Sequence, residues 1–339
     1  MPTLADVAKV AGVGVMSVSR VVNGTRQVNP ETERKVRAAI KKIGYRPNEA
    51  ARILRGHRAQ VIGLIVPDLA DPFFATYANA VHETAWEAGF MTLMAASGHR
   101  KEVERREMEF MLERRVAGLL VAPISSDNDH FKTTDSNDMP IVSFDRPMDG
   151  VDVDVFVVDN RVAAAAATRH LVEHGHRNVL CIADDENIHT KAERVAGYSD
   201  AMRRANLPVR TCFVGPISGT LPHQLEFALH SRPPVTAMFA TSNVIALEIL
   251  RELQKRSIPI PDKMALIAFD DFDAATLVRP SITVVRQPVA ELGRSSTSRL
   301  LARINEEIRL KEGSRFVQPT ELVIRESCGC HGARKSRAE

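Results

Sequence analysis

The chain has 339 residues, 26% charged and 44% hydrophobic, with a net charge of +3; that is enough to bury a sizeable core and hold two or three domains. No apolar run approaches the roughly 18 residues that span a bilayer, so no membrane partner is expected. No charged-then-apolar leader opens the chain, which makes the cytoplasm the expected location. Four cysteines in this length are not a disulfide framework, and Cys181 and Cys212, in apolar surroundings, read as reduced core residues.

Residues 2–24 read PTLADVAKVAGVGVMSVSRVVNG. Thr3 can cap a helix by accepting backbone N–H bonds, and Asp6 three residues on favours the same start. Leu4, Val7, Ala8 and Ala11 then share one helical face. Gly12 permits a tight turn, and a second short helix is predicted from about Val15 to Val22. Two short helices joined by a glycine-containing turn form a helix-turn-helix, whose second helix enters the DNA major groove. Charge agrees: residues 1–58 carry twelve Lys and Arg against four Asp and Glu, a net of +8, leaving −5 for the remainder. Positive charge concentrated on a small unit is what phosphate contacts and counterion release require.

Asn29-Pro30 is a cap with a first-turn proline, predicting a third helix that Gly44 ends and whose Val36, Ala39, Ile40 and Ile43 face the first two. Arg46-Pro47 then interrupts. Asn48 can cap a fourth segment, EAARILRG, which is too short to hold a helix alone in water.

From Val61 the pattern changes. VIGLIVP, FMTLMAA, GLLVAP and IVSF read as buried strands, alternating with the helical stretches FATYANAVHETAWEAG and KEVERREMEFMLERR. The alternation returns in VLCIA, AMFAT and ALIAFD, with helices at KAERVAGYSDAMRRA and NVIALEILRELQKR. Strand–helix alternation implies parallel sheets covered on both faces. Two such blocks, near 60–158 and 159–287, predict two similar lobes, and QPVAELGRSSTSRLLARINEE is an amphipathic helix able to return to the first. Polar SSDNDHFKTTDSND, 125–138, reads as an irregular surface segment. Ligands of open parallel sheets bind beyond the strands' carboxyl ends. That rule nominates Asp68 to Phe74, Asp145-Arg146, Thr241-Ser242-Asn243 and Asp270-Asp271.

TLADVAKVAGVGVMSVSRVVNG, followed by VNPETERKVRAAIKKIGYRPNEAARILRG, resembles the N-terminal module of the LacI/GalR family of bacterial transcription regulators, and the later blocks continue the resemblance. It implies an all-α helix-turn-helix module followed by a two-lobed α/β core of the periplasmic-binding-protein type. The corresponding division is 1–46 for the DNA-binding domain, 47–58 for a hinge helix and linker, 59–330 for an effector-binding and dimerisation core, and 331–339 for a basic tail. Within the core, lobe one takes about 60–158 and 288–318, and lobe two about 159–287 and 319–328. By this resemblance Val15, Met16 and Arg20 face base edges, while Thr3, Ser17, Ser19 and Asn23 lie at the DNA surface, the serines against phosphates. Arg20 can bond guanine bidentately, a phosphate clamp being its plain alternative. Gly14 stands where the family usually has a serine-type cap. In the hinge, Asn48, Ala51, Arg52 and Leu54 would contact operator DNA, Leu54 as the wedge between central base pairs. Its plain alternative is a leucine buried against the domain below.

The same resemblance places an effector between the lobes, with Phe73 or Phe74 as an apolar wall and Asp71, Arg146, Asp159, Thr190, Arg194, Ser242 and Asp270 as polar contacts. Arg194 belongs to the RxxGY pattern in KAERVAGY. The plain alternatives are that Asp270 caps the next helix and that Phe73 is core. Arg146, His189, Lys191 and Arg194 predict an electropositive cleft, favouring a sugar acid or phosphorylated sugar over a neutral sugar. Ser242-Asn243 stands where many members carry Asn-Asp, so no relative's sugar specificity transfers directly.

His170 to His174 has the HxxEH order of inverted zinc peptidases but is read as part of an amphipathic helix that ends at Gly175. Gly12-Val-Gly14 follows no strand, so it is no dinucleotide fingerprint. Cys328-Gly-Cys330-His331 offers soft ligands or a redox pair and is read instead as an exposed tail with free thiols. No nucleophile–base–orienter set is found, and no enzyme, cofactor or metal is expected. The expected partners are a palindromic operator, a small-molecule effector (sugar, sugar acid or sugar phosphate) and a second copy of the chain. Two rival readings are control by a protein co-repressor and a free sugar-binding protein.

Overall fold

The computed structural model describes residues 2–23, 28–45, 60–125, 128–132, 139–214, 221–306 and 313–330, and the chain divides into two compact units, Met1–Ala59 and Gln60–Glu339. The first holds α1 (Leu4–Ala11), α2 (Val15–Asn23) and α3 (Pro30–Ile43). A reciprocal capping box fixes the start of α1. Thr3 Oγ1 accepts from the Asp6 N–H at 3.3 Å, and Asp6 Oδ2 accepts from the Thr3 N–H at 2.8 Å. Gly12 and Gly44, at φ 66° and 64°, end α1 and α3 in the left-handed conformation that glycine adopts without a Cβ penalty. Val7, Val18 and Val36, one from each helix, are fully buried together with Ala8, Ala39 and Tyr45. Full burial of each valine is worth about 1.5–3 kcal/mol, which is what holds helices this short.

Among the described residues the second unit contains two six-stranded sheets. One comprises β1 (Val61–Val66), β2 (Met91–Ala96), β3 (Leu119–Val121), β4 (Ile141–Phe144), β5 (Asp154–Val158) and β11 (Arg315–Gln318), in the order β11-β5-β4-β3-β1-β2. The other comprises β6 (Val179–Ala183), β7 (Thr211–Phe213), β8 (Ala237–Ala240), β9 (Ala265–Phe269), β10 (Thr283–Arg286) and β12 (Glu321–Val323), in the order β12-β10-β9-β8-β6-β7. All pairings are parallel except β10 with β12. The central strands are buried on both faces, which is why VIGLIV, VLCIA and ALIAF are unbroken apolar runs. The strands β5, β7, β10, β11 and β12 gave no such signal. Three of them carry exposed polar residues, and only pairing in the sheet makes them strands.

The connecting helices are α4 (Pro72–Glu87), α5 (Lys101–Glu113), α6 (Asp129–Lys132), α7 (Asn160–Glu173), α8 (His189–Arg204), α9 (Leu221–Leu229), α10 (Asn243–Lys255), α11 (Ala274–Leu277) and α12 (Val289–Ile304). Among the described residues no helix is long and apolar enough to cross a membrane. The chain passes between the sheets after β5, after β10 and between β11 and β12. The return helix α12 packs on α4, with Tyr77 and Ser296 hydroxyls 2.6 Å apart in the buried seam. A Cβ on Gly293 would lie 2.8 Å from that of Ala80, so the helices need a glycine there.

Two expectations are corrected by packing. The polar stretch at 125–138 contains α6, whose Phe131 is 1% exposed in the core beside β3 and β4. The Cys328-Gly-Cys330 segment is not an exposed tail. Cys328 is fully buried in the second lobe's core, because Ser327 Oγ donates to the Leu266 carbonyl at 2.6 Å and Arg325 grips both Asp271 carboxylate oxygens. Burial alone would raise the Cys328 thiol; bonds to His170, Thr283 and Cys330 outweigh it and bring it down to about 6.

Candidate functional site

In the N-terminal unit, α2 carries the residues nominated for the major groove. Val15 and Met16 are 47% and 69% exposed, unusual for apolar residues on so small a body, and Arg20 is exposed beside them. Val18, on the opposite face, is fully buried, so the helix cannot rotate without exposing its core side. Ser17 and Ser19 flank that axis, half-buried. Thr3 is committed to the α1 cap. Gly14 begins α2 through its carbonyl, accepting from Ser17 and Val18 N–H groups, with no side chain to add a cap. Asn23 closes the helix, its side chain outside the described residues, as are Asn48, Ala51, Arg52 and Leu54 with the whole 47–58 segment and the 331–339 tail.

In the second unit a cavity of about 400 Å³ opens at the carboxyl ends of both sheets, the size of a small-molecule site. The first lobe supplies an aromatic wall. Phe73 and Phe74 stand edge to face at 5.0 Å, and Phe74 leans in turn on Phe144. Both rings are also core, so wall and packing are one feature. Asp71 caps α4 by accepting from the Phe73 N–H at 2.9 Å, and the same oxygen accepts from Asn243 Nδ2 of the second lobe at 3.2 Å. This bond crosses the cleft. Burial raises the Asp71 pKa despite those two donors.

Arg194 organises the second lobe's contribution. Its Nε donates to Asn160 Oδ1 at 2.8 Å, and Nη1 donates to the Thr241 carbonyl at 2.8 Å and to Asp270 Oδ2 at 3.3 Å. The guanidinium lies over the Phe269 ring at 3.7 Å, a cation–π contact, and is 3% exposed. Gln287 holds the other Asp270 oxygen. The fixed Arg194–Asp270 pair presents a donor and an acceptor edge side by side. The motif around it divides its labour. A Cβ on Gly197 would fall 2.1 Å from the Arg161 carbonyl, so glycine is what lets α7 and α8 touch and brings Asn160 to Arg194. The Tyr198 hydroxyl donates toward the Val179 and Arg210 carbonyls and accepts from the Arg210 N–H, pinning α8 to the sheet.

Of the residues nominated from the sequence, the structure brings Asp71, Phe73, Phe74, Arg146, Thr190, Arg194, Ser242 and Asp270 to this cavity. Ser242 caps α10, its oxygen accepting from the Ile245 N–H at 3.4 Å. Asp270 precedes no capped helix, so the plain capping alternative fails; it is a partner of Arg194 and Gln287. Asp159 is not at the cavity. It is an exposed N-cap that accepts from the Val162 N–H, and the buried neighbour that reaches Arg194 is Asn160. His189 is exposed and also lies off the lining. Residues the sequence did not single out, His99, Asp184, Glu248 and Gln287, complete the wall; they sit in loops and on helix faces with no periodic signature.

The expected electropositive cleft is also corrected. Among the described residues the lining holds seven Asp and Glu against three Lys and Arg. Each cation is tied to a carboxylate: Arg146 to Asp145 at 3.1 Å, Lys191 to Asp184 at 3.4 Å and Arg194 to Asp270. Burial lowers the Lys191 ammonium further, against the pull of Asp184.

With this geometry in view, the comparisons with known proteins agree. Residues 59–323 match the model for periplasmic binding proteins and the sugar-binding domain of the LacI family, and residues 3–48 match that for bacterial regulatory proteins of the lacI family. The HTH-type transcriptional regulator DegA of Bacillus subtilis (strain 168) is 31% identical, the alignment covering 96% of this chain and 97% of DegA. A solved transcriptional regulator CelR–cellobiose complex is 31% identical with a TM-score of 0.71, covering 96% of this chain and all of that one. The lac repressor dimer bound to operator and the anti-inducer ONPF shares the fold at a TM-score of 0.83, with 23% identity and coverage of 96% and 99%. The chain belongs to the LacI family of bacterial transcriptional regulators.

Proposed function

We propose that the protein is an effector-responsive repressor that binds a palindromic operator as a cytoplasmic homodimer, and that its effector is a neutral, hydroxyl-rich molecule of sugar size. The observation that carries the effector class is the internal neutralisation of each lining cation among the described residues. A sugar acid or phosphate would have to displace a carboxylate already bonded to Arg146, Lys191 or Arg194 and would meet the uncompensated acids around them. A neutral sugar instead accepts from the guanidinium and donates to the carboxylate of the Arg194–Asp270 edge, while Phe73 and Phe74 cover its apolar face. Cellobiose, the partner of CelR in its solved complex, belongs to the same chemical class. The Asp71–Asn243 bond joins the lobes across the cavity, where a ligand would alter their closure; with closure linked to the DNA-binding unit, effector and operator change each other's affinity by one free energy.

Calorimetry with matched neutral sugars, uronic acids and sugar phosphates tests this. The neutral member should bind and the anions should bind at least tenfold more weakly. The opposite order would overturn the proposed class. Operator binding by the Arg20→Ala variant, against scrambled DNA at the same salt, tests the reading of α2. Discrimination should fall by about 1–3 kcal/mol if Arg20 meets a guanine, and an unchanged ratio would make it a phosphate contact.

A further inference from the structure

Two sequence features that the regulatory function leaves unused meet in space. His170, on the last turn of α7, and Cys328 and Cys330, near the end of the described chain, offer one ring nitrogen and two sulfurs, all within 4.8 Å of one another. We infer that His170, Cys328 and Cys330 form a site for a borderline-soft divalent cation, zinc being the best match, that clips the C-terminal segment to the second lobe.

Three observations carry the assignment. Gly329, at φ 76°, turns the chain left-handedly so that the flanking cysteines point the same way, their sulfurs 3.1 Å apart. A disulfide needs about 2.0 Å, whereas two thiolates sharing a tetrahedral zinc at about 2.3 Å stand about 3.8 Å apart. The pair therefore needs only a small side-chain adjustment to take an ion. His170 is 8% exposed, and its Nε2 is buried with no well-aligned hydrogen bond, although buried imidazole nitrogens normally find one. A disulfide would account for the sulfurs alone and remove the thiol that His170 contacts; a cation accounts for all three atoms. Finally, the segments that carry His170 and Cys328 are held from outside the site. The His170 carbonyl accepts from His174 Nδ1 at 2.7 Å, and Cys328 sits in the core beside Ser327, which is bonded to both Leu266 and Thr283. Two thiolates and an imidazole favour zinc over hard cations, with a fourth position left for water or another donor. No step of effector or operator binding passes through this site, so it stands apart from the function proposed above.

The test is cobalt titration of the full-length, fully reduced protein. One equivalent should give a thiolate-to-cobalt charge-transfer band with tetrahedral visible bands, and zinc should bleach both. Cys330→Ser, at the partly exposed position, should keep its far-ultraviolet circular dichroism while losing charge-transfer intensity and at least tenfold in affinity. His170→Gln should keep the charge-transfer band while altering the visible spectrum. Zinc should raise the melting temperature of the parent protein and not that of Cys330→Ser. Absence of the cobalt bands in reduced, folded protein would overturn the proposal. So would their persistence in Cys330→Ser, or recovery of a Cys328–Cys330 disulfide that forms equally fast with and without zinc.

Discussion

The two lobes repeat one backbone and spend it on opposite chemistry. β4 runs out as Phe144-Asp145-Arg146 and β9 as Phe269-Asp270-Asp271. Each aspartate sits at positive φ, 62° and 71°, and each N–H donates to a carbonyl of the neighbouring strand at 2.9 Å, on Phe156 and Val285 respectively. Aspartate tolerates this left-handed corner better than most side chains, so the same turn recurs. The next residue then parts the lobes. Arg146 turns into the cavity, where its own neighbour Asp145 and the Pro123 carbonyl hold it. Asp271 turns away from it, onto Arg286 and Arg325. In the second lobe the cavity's guanidinium comes instead from a helix, as Arg194, and ties together α7, α8 and the ends of β8 and β9. The repeat fixes where side chains emerge; the sequence of each copy decides which charge emerges there.

If this contrast is correct, Arg194→Met should have the largest effect. It leaves the buried Asp270 bonded to Gln287 and without its guanidinium partner, and breaking a buried pair costs about 3–5 kcal/mol. Denaturant unfolding should show the loss, and effector binding should vanish. Retained stability would mean that Arg194 is a ligand contact only. Gly197→Ala should come next. Its methyl meets backbone rather than a movable side chain, and overpacking of this kind costs about 1–3 kcal/mol or more. Separation of α7 from α8 should also weaken effector binding, although Gly197 never reaches the cavity, and calorimetry on the refolded variant would detect it.

Arg146→Met sharpens the comparison from the other side. Its ties join only two loops, so the stability loss should be smaller than for Arg194, while effector affinity falls tenfold or more as charge-assisted bonds worth about 1.5–3 kcal/mol disappear. Equal stability losses for the two arginines would erase the distinction drawn here. The smallest effect belongs to Asp271. Burial acts to raise its carboxyl, but Arg325 and Arg286 outweigh it and hold the pKa below the ordinary value. A depressed folded pKa contributes stability that is present above the unfolded carboxylate value of about 3.9 and lost as pH falls through the lower folded value. Asp271→Asn should therefore lower the melting temperature at neutral pH and flatten its decline in acid; an unchanged acid limb would remove Asp271 from the account.

Much of this was legible before folding. Capping residues and glycines marked the helices of the first unit, and unbroken apolar runs marked β1, β6, β8 and β9, because parallel strands buried on both faces have no polar side to show. The carboxyl-end rule then reached Asp71, Phe73, Phe74, Arg146, Ser242 and Asp270 without any coordinates. The family resemblance missed Asn160 by one residue, naming the exposed cap Asp159, since sequence does not tell which of two adjacent polar residues turns inward at a helix start.

What sequence alone determined is therefore local and periodic: element type, strand ends, the basic recognition unit and the identity of the side chains available. What only the tertiary structure decided is partnership. Charge counted along the chain predicted a positive cleft, yet Asp145, Asp184 and Asp270 each cancel a cation, two of them across separate elements. Likewise His170 and Cys328 are 158 positions apart in the chain and neighbours in the core. Hydrophobic periodicity is written in consecutive residues because each helix or strand must bury one side of itself. Electrostatic neutralisation and ligand convergence are written between elements, and they exist only once packing has brought those elements together.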